Sequence, residues 1–363
     1  MAPSHQPLTN SRRVTVKDAR VRELNSQGHR QQMVEVEGDN GFVGYSAPIL
    51  SESAFIAGSR LRDVVVGQDA MATRAVWDAM KLSDRHSRAG AFMMAMSAID
   101  IALWDLKGKT LGCSVSSLLG GPVRSRVPVY ASLLGFPTEP KAARKVAREF
   151  LDRGFGCQKW FFDHGPQDGP DGFRKNVRLA MALREELGED AEIYFDAKWA
   201  WDVPYAIRMA RAIEEMNPGW LEEPLRSENV SGYEAIQAAT TVPLAAGEHL
   251  YSRWEVKEYL DRGVLGYLQT DPEWCGGITE LVRICSFAET YGVPVCPHGH
   301  HLWAALHVIA AHPARVCPKV EYLFKYMPDK LRFHKPRLEP KEGWIEVPGS
   351  PGLGFEIDSV SDR

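Results

Sequence analysis

Three acids recur at one interval. Asp196 in YFDAKW, Glu222 in WLEEP and Glu248 in AAGEH follow one another at steps of 26 residues. Each closes a short β-rich run, and one strand-plus-helix unit of a barrel occupies about that length. The acids therefore belong at matching heights on successive strands. Carboxylates gathered there repel one another unless a cation neutralises them. A hard, all-oxygen donor set suits Mg²⁺, which keeps positions free for water or substrate. One such acid alone reads as a helix cap or an arginine partner. Three at one spacing point to a metal site.

The interval continues. Asp271 in LQTDPEWCGG precedes His298 in VCPHGHH by 27 residues. A carboxylate beside an imidazole fixes its tautomer and raises its basicity, which makes a general base. Lys159 in CQKWFF lies near the end of an earlier run, where a cation binds a substrate carboxylate or is simply solvated. Glu321 in VEYLF opens the last run and either bonds substrate or joins a polar layer inside the barrel. In FDAKW, strand alternation puts Lys198 on the side of Asp196. A metal there repels it, toward a neighbouring acid such as Glu223 or toward substrate oxygens.

These residues need a scaffold that brings strand ends together. After Val127, eight β-rich runs alternate with helix-like stretches: VPVYAS, CQKWFF, AEIYFDAKW, GWLEEPL, VPLAAGEH, GYLQTDPE, VPVCPHG and VEYLF. Such alternation predicts parallel strands with crossover helices closed into a barrel, whose C-terminal rim carries the chemistry. Before it, RVTVKDARVREL and QMVEVEGDNGFVGYS read as strands, the second with an Asp-Asn-Gly turn. FMMAMSAIDIALWDLK reads as a helix capped by Gly108. The expected organisation is an α+β unit over residues 1–125 and a barrel over 126–329, with an irregular tail, 330–363, packing back on the first unit. A chain of 363 residues accommodates both, since a barrel takes about 250 residues.

Composition narrows the function. The chain is 44% hydrophobic and 25% charged, as expected for a globular protein with a core. Its net charge of −4 and lack of a Lys/Arg run argue against nucleic acid. Six cysteines without CxxC spacing suggest neither a zinc site nor a redox motif, and their sparseness points to a reduced, cytoplasmic setting. MAPSHQPLTNSRR lacks the apolar stretch of a signal peptide, and no run is long enough to span a bilayer.

The set resembles the enolase superfamily in its mandelate racemase-like group. SAIDIALWDLKGK, the strand ends FDA, WLEEP and AGEH, and the Asp271/His298 pair carry the resemblance, over most of the chain. It implies a modified (β/α)₇β TIM-type barrel under an α+β capping domain, one Mg²⁺ on Asp196, Glu222 and Glu248, and removal of a proton alpha to a carboxylate. Two-base members carry Lys-x-Lys on the second strand, whereas here the segment is Lys159-Trp160-Phe161. Phenylalanine takes no proton, so a one-base dehydration is favoured over racemisation. DHGPQDGPDGFRKN and DPEWCGGITEL look like the rhamnonate dehydratase branch, whereas PHGHHLWAALH departs from it.

The expected reaction is dehydration of an aldonate or aldarate to a 2-keto-3-deoxy acid. His298 is the base, Asp271 orients it, and Lys159 and Glu321 support the developing charge. His29, Arg30 and His86, from capping-domain loops, are candidate substrate contacts beside Lys198. The expected partner is a small sugar acid, with a homo-oligomer implied by the resemblance. A racemase, an epimerase or a sugar-lactone cycloisomerase is the alternative on the same site. A metallohydrolase built on HGHH generally needs His-x-His on the first strand, which reads VPVYAS. A non-catalytic binding protein would leave costly buried charges unused.

Overall fold

The computed structural model describes residues 13–26, 28–300 and 302–358. The leader reading rests mostly on residues 1–12, which lie outside this range, as does His301 of the HGHH cluster. Strands β1 (Val16–Ser26), β2 (His29–Gly38) and β3 (Val43–Ile49) form an antiparallel sheet in that order. The Asp-Asn-Gly turn joins β2 to β3.

The helix Gly90–Leu111 packs on this sheet and is buried almost all round. Its inner acids are connectors. Asp105 accepts from the Tyr45 amide at 2.9 Å and the Leu353 amide at 2.8 Å, and pairs with Lys109. Asp100 accepts from the Thr279 amide at 2.9 Å, in the first turn of the helix Gly277–Thr290. That turn's free amides need such an acceptor. Trp104 of the same helix adds a bond to Thr279, and Trp77 of the helix Thr73–Ser83 one to Gly276, so two helices grip the start of a barrel helix. Gly108 does not end the helix. It lies inside, where a Cβ would stand 2.6 Å from Gly352 Cα. The left-handed stop is Gly112, with φ 68°.

The barrel strands are β4 (Arg126–Ser132), β5 (Cys157–Phe161), β6 (Glu192–Asp196), β7 (Trp220–Glu222), β8 (Leu244–Ala246), β9 (Tyr267–Leu268) and β10 (Val320–Leu323). They run parallel in the order β10-β4-β5-β6-β7-β8-β9. The expected run VPVC contributes only a bridge, Leu268 to Val295, and Val295 in turn bonds the Val316 carbonyl. Tyr130, Tyr194, Trp220 and Cys296 fill the lower barrel, with Tyr194 and Trp220 stacked at 3.6 Å.

The remaining strands, β11 (His334–Lys335), β12 (Trp344–Glu346) and β13 (Glu356–Ile357), belong to the tail. The strand β12 pairs with β4 of the barrel, while Gly352 bridges Ser114 and Leu353 bonds Asp105. The tail thus touches both parts of the chain. No helix among the described residues is long and apolar enough to cross a membrane.

Candidate active site

The β5–β6 and β6–β7 registers set Phe161, Asp196 and Glu222 side by side. Glu248 follows just beyond the end of β8. Lys159 is buried beneath them, 1% exposed, so it is no loop lysine. Its ammonium pairs with Glu222, with Glu321 at 2.8 Å and with Asp196 at 3.4 Å. Trp220 and Gln269 donate to the other Glu222 oxygen at 2.9 and 2.6 Å.

One ammonium does not balance these acids. Burial pushes Asp196 up to about 6, against Lys159 and with help from Glu248 and Glu223. Burial likewise lifts Glu222 to about 8, despite Lys159, and Glu248 to about 7, despite His298. Glu321 goes the other way: Lys159 and His298 overcome its burial and hold it down to about 2. A layer of buried oxygens short of positive charge fits a hard divalent cation.

His298 meets this layer from the opposite wall. Its Nδ1 bonds Asp271 Oδ2 at 2.7 Å, while Nε2 stands 3.6 Å from Glu248 and 3.8 Å from Glu321. Burial opposes its charging, yet Glu248, Glu321 and Asp271 carry the imidazole up to about 10. A ring that holds its proton this firmly is a poor base until positive charge offsets those acids.

Asp196, Glu248, Glu321 and His298 share a cavity of about 190 Å³, lined also by Phe161, Lys198 and Trp199, whereas Glu222 lies behind its wall. A larger cleft of about 660 Å³ runs between the N-terminal sheet and Glu273, Trp274 and His300, and includes Arg30. The Trp274 ring stands 5.2 Å from His298 and 5.3 Å from His300, at the junction of the two.

Other expected contacts lie elsewhere. Lys198 does not follow strand alternation, because β6 stops at Asp196 and Lys198 turns to φ 53°. It pairs with Asp163 at 3.0 Å, not with Glu223. His29 is exposed at the start of β2, 3.7 Å from Asp329, and does not line the cleft. His86 is exposed in a turn and bonds Asp84 at 3.2 Å, so the structure does not bring it to the site. Polar loop residues meet solvent by default, which is why composition alone misplaced these two.

Sequence reasoning passed over a second ladder. Glu223 bonds His249 at 3.1 Å, and Glu273 pairs with His300. These pairs are 26 and 27 residues apart, the intervals already seen in the three strand-end acids and the Asp271/His298 pair. Repeating the spacing one or two residues onward finds them. Glu223, Glu248 and His249 also form a compact group of donors, all within 4.8 Å, unlike the expected trio. Asp196 and Glu222 instead pair with Lys159.

Two family models match the chain. They are "Mandelate racemase / muconate lactonizing enzyme, N-terminal domain" over residues 15–120 and "Enolase C-terminal domain-like" over residues 142–361. The chain is 33% identical over 336 residues to an L-rhamnonate dehydratase of Saccharopolyspora erythraea, covering 90% of this chain and 83% of that protein. A solved enolase superfamily member from Salmonella Typhimurium superposes with a TM-score of 0.88 at 28% identity, over 96% of this chain and 97% of that one. The 3,6-anhydro-D-galactonate cycloisomerase of Zobellia galactanivorans gives a TM-score of 0.83 at 26% identity, over 95% and 97% of the two chains.

Proposed function

This chain belongs to the enolase superfamily, and from that premise we propose that it dehydrates an acid sugar, an aldonate or aldarate, to a 2-keto-3-deoxy acid. The observation that carries the reading is the buried His298–Asp271 pair, 2.7 Å apart, sharing a cavity with Phe161 where a second base would stand. The similarity to an L-rhamnonate dehydratase supports it and makes L-rhamnonate the first substrate to try.

Asp196, Glu222 and Glu248 would hold Mg²⁺, which when bound supplies a Lewis acid toward the substrate carboxylate. Lys159 and Glu321 lie beneath the substrate carboxylate, and Lys159 meets the charge that grows on its oxygens. His298 Nε2 takes the C2 proton, and Asp271 keeps Nδ1 protonated and the ring aligned. The 3-hydroxyl leaves as water with a proton returned by His298, and the enol tautomerises to the ketone. Lys198 and Arg30 bind the polyol chain. Residues 1–125 act as the cap over a barrel of residues 126–329.

The similarity to a cycloisomerase favours one alternative on the same residues. Product mass separates the two, since dehydration removes one water and cycloisomerisation removes none. The test is a panel of acid sugars with a 2-keto acid assay and C2-proton exchange in D₂O. The His298→Asn variant should lose turnover and exchange by at least about 10²–10⁴-fold, the usual share of a positioned base. Exchange at the wild-type rate in that variant would remove His298 from the role.

A further inference from the structure

A second group of metal-ligating side chains sits at the other end of the barrel. Cys285 lies in the helix Gly277–Thr290, His312 just after the helix Leu302–Ala311, and Cys317 on the approach to β10. Cys317 precedes its strand, whereas Asp196, Glu222 and Glu248 lie at the far ends of theirs. Both cysteines are 0% exposed, and His312 is half-buried, which leaves a way in from solvent.

The sulfurs are 3.7 Å apart. A disulfide needs about 2.05 Å, so the cysteines are free thiols. Two thiolates on a tetrahedral zinc, each about 2.3 Å from the metal, stand about 3.8 Å apart. The observed separation is that edge. One ligand atom from each of Cys285, His312 and Cys317 lies within 4.8 Å of the others. Two thiols packed as small apolar groups would need no such third donor.

His312 is also oriented. Its Nδ1 donates to the Val308 carbonyl at 2.8 Å, which leaves the lone pair on Nε2. Metal-bound histidines are commonly fixed by such a backbone bond. The Cys285 bond and burial hold the Cys317 thiol well above its ordinary value, so it stays protonated without a metal, while Arg124, which donates to the carbonyls of Ile309 and Cys317, pulls the other way.

We propose that Cys285, His312 and Cys317 form a structural zinc site. The fourth position falls to water, since Glu289, one helical turn beyond Cys285, is paired with Arg315. Binding releases the two thiol protons as the thiolates take the metal. The ion would tie two outer helices to the entry of β10, without touching the acids of the active site.

The test uses the full chain, reduced with a phosphine and titrated with Co²⁺ and then Zn²⁺. One equivalent of Co²⁺ should raise a thiolate-to-cobalt charge-transfer band, and Zn²⁺ should abolish it. The acid-sugar site has no cysteine and cannot produce that band. Cys285→Ser and Cys317→Ser should each lose it and keep Mg²⁺-dependent turnover. The milder His312→Gln should keep the fold and weaken cobalt binding at least tenfold. No band in the reduced wild-type chain, or an undiminished band in both serine variants, would overturn the proposal.

Discussion

Lys159 divides one positive charge among Asp196, Glu222 and Glu321, which defines the problem any resident cation has to solve. Two donor sets compete for that cation, the expected trio and the compact group Glu223, Glu248 and His249. Glutamine at one position or the other decides between them. Glu222→Gln should weaken Mg²⁺ by more than about 100-fold, because a neutral amide replaces a directly bound charge. Glu223→Gln should cost only the about 10–100-fold typical of an outer partner. Calorimetric Mg²⁺ titration measures both, and the reverse order would move the metal to the compact group. The strand-end placement of the three acids and of the Asp271/His298 pair was legible in the sequence because barrel geometry writes itself as a constant interval. The contacts of Lys198, His29 and His86 were not, because a side chain that leaves its strand for a turn obeys no interval.

Helix and strand identities followed from alternation and turn residues, whereas their ends depended on distant contacts. GKTLG offers two glycines as a stop, and local rules cannot choose between them. Gly352, more than two hundred residues away, decides by pressing on Gly108. The two views predict opposite signs for Gly108→Ala. Helix propensity alone favours alanine by about 1 kcal/mol. A Cβ placed 2.6 Å from backbone forces a shift, and overpacking costs about 1–3 kcal/mol. Destabilisation should therefore win, seen as a lower urea midpoint with an unchanged slope. The acids of SAIDIALWD are similar: visible as a motif, but their work as a helix cap and a link to the tail appears only in three dimensions.

For the molecule as a whole, His307 joins three segments that are far apart in the chain. Buried completely, it accepts from the Ser116 amide at 3.2 Å and donates to the Leu353 carbonyl at 2.9 Å. Burial pulls its pKa down to about 4, against the Leu353 bond. An unfolded histidine titrates near 6.5, so below that pH the unfolded chain takes a proton that the folded one refuses. The stability held by this residue is complete above about pH 6.5 and falls as pH drops toward about 4. Wild type should lose about 2 kcal/mol more than His307→Gln between about pH 6.5 and about pH 5. Urea denaturation at both pH values measures the difference, and equal losses would show that His307 titrates normally in the fold.

The barrel wall is uneven. Five residue pairs join β5 to β6, whereas the run carrying His298 meets β9 and its exit in one bridge and three backbone hydrogen bonds, Leu268 to Pro294, Cys296 to Leu268 and His298 to Gln269. The ladder of paired residues is therefore longest between β5 and β6 and shortest beside His298. The wall beside His298 should part more readily than the Phe161–Asp196 side, since local opening costs least where the ladder is shortest. Deuterium uptake should report it: amides of residues 293–298 should exchange well before those of 157–161. His298, the proposed base, would then ride on the more loosely laddered wall and Asp196 on the firmer one.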